Sequence, residues 1–345
     1  MAMSPFENVS RILIRSTNWI GDAVMTTPAM GAIRAAFPDA FITLAAPPSV
    51  AELFSPHPYC DRVLVFEKKR LHRGIQGLRR FARQLHDERF DLAVLFQNAF
   101  EAAVLAFLAG IPLRVGYRTD GRGFLLTRGV KAGGREKLLH HTDYYLSLME
   151  RAGIRGGSGR LRLECTEAEK ACARRLLADS RLWIGINPGA AYGSAKRWLP
   201  ERFAEVASAL AWRFEAGIVI TGGPGEEDIA REIESALGSR CLNLAGRTTV
   251  RQLMAVIEQC RLFVTNDSGP MHIAAALGVP IVALFGSTDP TTTSPRGENI
   301  RIVRKPVPCA PCLKRVCPTD HACMESITAY DVLDAVESLR LDAGL

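Results

Sequence analysis

The sequence predicts an α/β protein made of two Rossmann-like, doubly wound parallel-sheet halves in tandem. Three observations carry that prediction. Short apolar, β-rich runs alternate with helical patterns almost throughout the 345 residues, as parallel strands joined by crossover helices require. The alternation pauses once, near the middle, at a glycine-rich and then charged stretch. Glycine-containing loops follow several of the strands, at the carboxyl ends where open α/β sheets bind their ligands.

In the first half, "RILIRS" (11–16) predicts a strand, followed by a helix near 22–36. "AFITLAA" (40–46) is a strand, with a helix starting near Ser49. "RVLVFE" (62–67), a basic helix near 74–87, "DLAVLFQ" (91–97), a helix near 100–109 and the short strand "LRVGY" (113–117) continue the series. A helix over roughly 139–153 closes the first domain, 1–153. The segment 154–180 opens on glycines and turns into a charged helix, so it reads as the inter-domain connection. The second domain, 181–325, restarts at "LWIGINPG" (182–189). It runs through a helix near 200–214, "AGIVITGGPG" (216–225), a helix near 226–237, "CLNLAG" (241–246) and a helix near 250–259. "RLFVTND" (261–267), a helix near 269–277 and "PIVALFG" (280–286) follow. Two such domains facing each other would place their strand ends around a shared cleft, the setting for a two-substrate enzyme.

Composition narrows the class. Hydrophobic residues make up 48% and charged residues 23%, which excludes a disordered chain. No apolar run of about 18 residues predicts a membrane span, and the first residues lack the pattern of a signal peptide. The expected compartment is the cytoplasm, where nine cysteines form few structural disulfides. The net charge of +7 is unevenly spread: residues 62–89 hold nine Lys/Arg against three acids, and 114–137 seven against two. Such patches suit an anionic partner. For 78–89 a solvated helix face is an equal alternative, whereas 114–137 reads as glycine-rich loops whose arginines are open to ligands.

Four strings carry candidate chemistry. In "VTNDSGPMHIAAALG" a strand ends at Asp267 and a helix opens at Ser268-Gly269, with His272 in its first turn. Backbone N–H groups at such a start seat a phosphate; the same string also reads as ordinary helix capping. "INPGAAYGSAKRWLPERF" places Lys196 on a loop before a helix, as a partner for a diphosphate or as a solvated lysine. "ITGGPGEED" puts Glu226 at a helix start, either for ribose hydroxyls or as a favourable first-turn acid. "NWIGDAVMTTPA" sets a single glycine, which would allow a tight turn, before Asp22. That acid is a candidate base or a dipole-stabilised helix acid. None of these is a Walker or GxGxxG sequence, so ATP hydrolysis and hydride transfer lose support.

Together, "ILIRSTNWIGDAVMTTPA", "GYRTDGRGFLLT", "NPGAAYGSAKRWLPERF", "ITGGPGEED" and "NDSGPMHIAAALGVPIVALFGSTDP" resemble the ADP-heptose:lipopolysaccharide heptosyltransferases of glycosyltransferase family 9. Within the family they come nearest to the members that add the second inner-core heptose. The resemblance implies the GT-B fold, two Rossmann-like domains around a central cleft, with a C-terminal helix, here 326–345, packing back on the first domain. It implies inverting transfer of L-glycero-D-manno-heptose from ADP-heptose to a heptose of the lipopolysaccharide core. It further implies Asp22 as catalytic base, and Lys196, Glu226, Asp267, Ser268, Gly269 and His272 as the donor site. On the acceptor side it implies Arg118 and Arg122. No cofactor is required in such a reaction, and a protein of this kind visits the inner membrane surface peripherally.

"PCAPCLKRVCPTDHAC" places Cys309, Cys312, Cys317 and Cys323 at spacings compatible with a structural metal site, with His321 among them. Reduced or redox-responsive thiols are the preferred reading. Two alternative functions remain at this level. One is another GT-B nucleotide-sugar enzyme, including a transferase adding the first heptose. The other, more remote, is a non-catalytic anion- or nucleic-acid-binding protein, although no nucleic-acid module is recognisable.

Overall fold

The computed structural model describes residues 6–178, 182–238 and 241–339. The chain divides into two units, one ending at Leu163 and the other beginning at Glu164. The first contains strands β1 (Arg11–Arg15), β2 (Phe41–Ala46), β3 (Arg62–Val65), β4 (Leu92–Leu95), β5 (Leu113–Tyr117) and β6 (Arg128–Val130). Its helices are α1 (Ile20–Met25), α2 (Thr27–Ala36), α3 (Pro48–Leu53), α4 (Gly74–Asp87), α5 (Phe100–Leu108) and α6 (His141–Ala152). The strands form one sheet in the order β3-β2-β1-β4-β5-β6, all neighbours parallel. The interiors of the central strands are apolar because helices cover both faces: Ile12, Leu13, Ile14 and Leu92 to Leu95 are all buried.

The second unit begins with α7 (Glu167–Leu177). Its strands are β7 (Trp183–Asn187), β8 (Gly217–Ile220), β9 (Cys241–Asn243), β10 (Leu262–Asn266), β11 (Ile281–Leu284) and β12 (Ile300–Val303). Its further helices are α8 (Pro200–Arg213), α9 (Glu227–Leu237), α10 (Val250–Glu258), α11 (Gly269–Ala276), α12 (Pro290–Thr293), α13 (Ala322–Glu325) and α14 (Ala329–Glu337). The sheet order β9-β8-β7-β10-β11-β12, again all parallel, repeats that of the first unit. The predicted class is thus observed: two Rossmann-like sheets, each with a topological switch point, between β1 and β4 in one and between β7 and β10 in the other.

Several expectations need correction. The helix expected near 22–36 is two helices. Thr26 and Thr27 turn their hydroxyls back onto the carbonyls of Ala23 and Val24, at 2.7 and 2.8 Å. Pro28 then removes the donor that a continuous helix would need. Gly21 lies inside α1 and makes no tight turn.

The segment 154–180 is no simple linker. Arg162 N donates to Thr27 Oγ1 at 3.1 Å, tying its first part to α2. Helix α7 belongs to the second unit, capped by a Thr166–Glu169 box and joined to α10 by Arg251, whose guanidinium holds the Glu169 carboxyl down at about 2. Residues 179 and 180 lie outside the described residues. Of the tail 326–345, α14 buries Val332 and Val336 in the core of its own unit, and 340–345 lie outside the described residues. No helix among the described residues is long and apolar enough to cross a membrane.

Candidate active site

At the end of β1 the chain passes Ser16 and Thr17 and enters α1, so Asp22 stands beside the first switch point. Below it, Arg15 is buried. Its Nη1 donates to the carbonyls of Ser16 and Ala45 at 3.0 and 3.2 Å, its guanidinium lies 5.0 Å from the centre of the Phe66 ring, and burial pulls its pKa down to about 10. It is still a cation at neutral pH. The Asp22 side chain is about one-third exposed, and its Oδ1 lies 3.5 Å from His141 Nδ1 at the start of α6. One turn further along α6, Tyr145 is buried, and desolvation, reinforced by the charge of Asp22, pushes its phenol well above the usual tyrosine range. Tyr145 is therefore a neutral wall.

The end of β4 is organised by Arg122, which is fully buried. Its Nε donates to Tyr117 O at 2.9 Å, its Nη2 to Asn98 Oδ1 at 3.0 Å, and its Nη1 to the carbonyls of Gln97 and Ala99. Asn98 in turn donates to the Tyr144 hydroxyl at 2.9 Å, and the Tyr144 ring stacks on Tyr117. Arg122, expected on the acceptor side, here turns its guanidinium inward onto these groups. The loop leaving β4 has carbonyls without strand partners, and this guanidinium satisfies them. Arg122→Ala should lower unfolding stability by about 3 kcal/mol, since several buried acceptors lose one shared donor. A urea unfolding midpoint equal to wild type would contradict this role. Arg118 is exposed, its stem crossing Gly129 so closely that a Cβ there would come within 2.8 Å. It remains the available arginine of this loop.

The second switch point gathers most of the predicted donor residues. Lys196, in a short 3-10 turn after β7, places Nζ 2.6 Å from Asp267 Oδ2 at the end of β10. Thr288 donates to the same oxygen at 2.6 Å. Ser268 stands at the N-cap of α11, but its hydroxyl does not cap the helix. It meets Asn187 Nδ2 at 3.3 Å and Thr265 Oγ1 at 3.1 Å instead. The capping alternative for this string is therefore not what the structure adopts, and the helix start at Gly269 carries no side-chain cap. His272 is buried in the first turn.

Glu226, at the N-cap of α9, accepts from Gly223 N at 2.8 Å through Oε2, while Oε1 lies 3.9 Å from Arg197 Nη2. A Cβ on Gly189 would fall 2.1 Å from the Glu226 carboxylate. A side chain there would push the Glu226 carboxylate out of its place.

A support missed in the sequence holds the Lys196 loop from outside. The cysteine-bearing segment packs onto it: Arg315 O accepts from Ala195 N at 3.0 Å, Leu313 O from the Tyr192 hydroxyl at 3.2 Å, and His321 Nε2 meets Ala195 O at 3.1 Å. Gly193 sits so close that a Cβ would come within 2.1 Å of the Arg315 carbonyl. Gly193→Ala should displace the loop and weaken nucleotide binding about tenfold, near 1.4 kcal/mol, readable by calorimetry with ADP. An unchanged Kd would sink the idea.

The cysteines themselves are free. Cys323 is buried, and desolvation together with the thiols of Cys309, Cys312 and Cys317 pushes its pKa up. Among the described residues, no group of three or more His, Cys, Asp or Glu stands ready to hold a metal ion.

A carboxylate at one switch point, and a lysine with an uncapped helix start at the other, on two Rossmann-like sheets, define a GT-B nucleotide-sugar transferase. The model of glycosyltransferase family 9 (heptosyltransferase) matches residues 78–323, and the chain belongs to that family. It is 33% identical to lipopolysaccharide heptosyltransferase 2 of Escherichia coli K12, over 85% of this chain and 88% of that protein. Its structure is similar to that of E. coli ADP-heptose lipopolysaccharide heptosyltransferase II, with a TM-score of 0.81, 29% identity and coverage of 96% and 98% of the two chains. The family 9 glycosyltransferase of Veillonella parvula is also similar, with a TM-score of 0.86, 27% identity and coverage of 96% and 97%.

Proposed function

We propose that this protein is an inverting heptosyltransferase that moves L-glycero-D-manno-heptose from ADP-heptose to the first heptose of the lipopolysaccharide inner core. The observation that carries the transferase reading is the second switch point, where Lys196 stands beside a helix start that no side chain caps. Such a site takes up the negative charge that grows on a departing diphosphate. The sugar and its position rest on the likeness to proteins named heptosyltransferase 2.

In this reading the second unit holds ADP-heptose. Lys196, Ser268 and the Gly269 N–H face the diphosphate, and Glu226 is near the ribose. Asp22 takes the acceptor hydroxyl proton as the C–O bond to ADP breaks and the new glycosidic bond forms with inversion. No divalent ion is required, because lysine and helix start supply the positive potential; EDTA should leave turnover unchanged.

The acceptor is an anionic glycolipid, and exposed Arg118 serves it. The protein works at the cytoplasmic face of the inner membrane, which it meets peripherally. The exposed cations Lys69, Arg70, Arg73, Arg79 and Arg80, set around exposed Leu71 and Ile75, support that location.

Mass spectrometry of core oligosaccharide tests the reading, after incubation with ADP-heptose and either a heptose-free or a one-heptose acceptor. A mass gain on the one-heptose acceptor alone is expected. A gain on the heptose-free acceptor would assign the first transfer, and no gain on either would overturn heptosyl transfer.

A further inference from the structure

Asp22 has a neighbour that no local motif announces. His141 is the first residue of α6, directly after the N-cap His140. Its Nδ1 is shut off from solvent and makes no hydrogen bond among the described residues, although two-fifths of its side chain is exposed. The open part of the ring therefore lies elsewhere, and the enclosed nitrogen faces one group, Asp22 Oδ1, at 3.5 Å.

Several other charged or titratable groups on elements packed against α6 have partners of their own. Arg34 pairs with Asp61, Glu136 with Arg151, and the Tyr117 hydroxyl donates to Tyr144 O. Arg114 donates to the carbonyls of Leu125 and Ile111, and Arg128 lies over the Phe6 ring. Tyr145, on α6 itself, stays neutral.

We infer that His141 is the positioning residue of Asp22: its Nδ1–H donates to Oδ1 and fixes the plane of the carboxylate, leaving Oδ2 to receive the acceptor proton. This rests on the reading of Asp22 as the base. A buried polar nitrogen facing a single partner is satisfied only by bonding to it. The separation of 3.5 Å is long for a hydrogen bond, and catalytic hydrogen bonds commonly tighten when substrates bind. With its proton on Nδ1, the ring meets the carboxylate as a donor at that nitrogen. The imidazole thus orients the base and takes no proton from it.

The test compares wild type with His141→Ala, His141→Asn, Asp22→Asn and the Asp22→Asn/His141→Ala double variant, with melting temperatures and ADP binding measured on each. His141→Ala should lower kcat about tenfold or more, as loss of an orienting partner does, with both KM values and ADP affinity nearly unchanged. Asparagine, whose side-chain amide offers a donor close to the position of Nδ1, should recover most of the loss. In the Asp22→Asn background, His141→Ala should cost nothing further.

Wild-type kcat in His141→Ala would overturn the inference. So would a loss seen chiefly as a raised acceptor KM, or one that asparagine fails to rescue. Absence of transfer by wild type would defeat the functional reading, and full activity of Asp22→Asn the base assignment; both differ from an active wild type, a dead Asp22→Asn and an indifferent His141→Ala, which defeats the positioning role alone.

Discussion

Asp22→Asn should lower the transfer rate by about 10²–10⁴-fold, the usual worth of a positioned general base, while ADP-heptose binds as before. Asparagine has the shape of aspartate, so α1 and the buried surroundings should survive and only the proton acceptor is removed. Neither Tyr145 nor Arg15 can replace it. Tyr145 is buried and its phenol is held well above the usual range, and Arg15 is a buried cation. The donor should be unaffected because the groups assigned to it, Lys196, Asp267 and Ser268, belong to the other unit. Single-turnover transfer with saturating donor, beside calorimetry with ADP, separates the two. Transfer within threefold of wild type would remove Asp22 from the mechanism.

The two sheets were legible because their central strands are apolar on both faces, a pattern with few readings. "RILIRS" and "RLFVTND" became β1 and β10 almost as read. Two of the four edge strands, β6 and β12, were not legible. β6 is only Arg128–Val130, and β12, Ile300–Val303, is largely half-exposed; neither has the continuous apolar run that marks a buried strand. The break between α1 and α2 was hidden for another reason. It depends on two threonine hydroxyls competing for helix carbonyls, which the apolar periodicity does not register.

The residues proposed for the donor could be picked out because each sits where a strand meets a helix. Lys196 and Asp267 belong to different loops, yet both follow strands that flank one switch point, and the topology brings them to 2.6 Å. Arg122 shows the limit. Composition shows that 114–137 is a basic, glycine-rich loop, but not which arginine turns inward. The carbonyls of Gln97 and Ala99, left without strand partners, decide that. His141 was illegible because "HHTDYY" reads only as a helix start, and its meaning comes from a carboxylate on another helix.

Lys196→Met should cost both stability and turnover, and the two costs can be separated. The Lys196–Asp267 pair is buried, with side chains 14% and 5% exposed. Removing the ammonium leaves a carboxylate with the Thr288 hydroxyl at 2.6 Å and no countercharge at Oδ2. Breaking such a pair costs about 3–5 kcal/mol. Turnover should fall by about 10²–10³-fold, as when a preorganised group facing developing charge is lost.

A destabilised enzyme is also slow, so the single variant does not discriminate. In Lys196→Met/Asp267→Asn the buried charge is gone. Asparagine still accepts from Thr288, and the melting temperature should return most of the way to wild type. Transfer should not return, because the diphosphate still departs without its cation. If the double variant regains both stability and transfer, Lys196 serves only to neutralise Asp267, and the charge that meets the leaving group must come from elsewhere in the second unit.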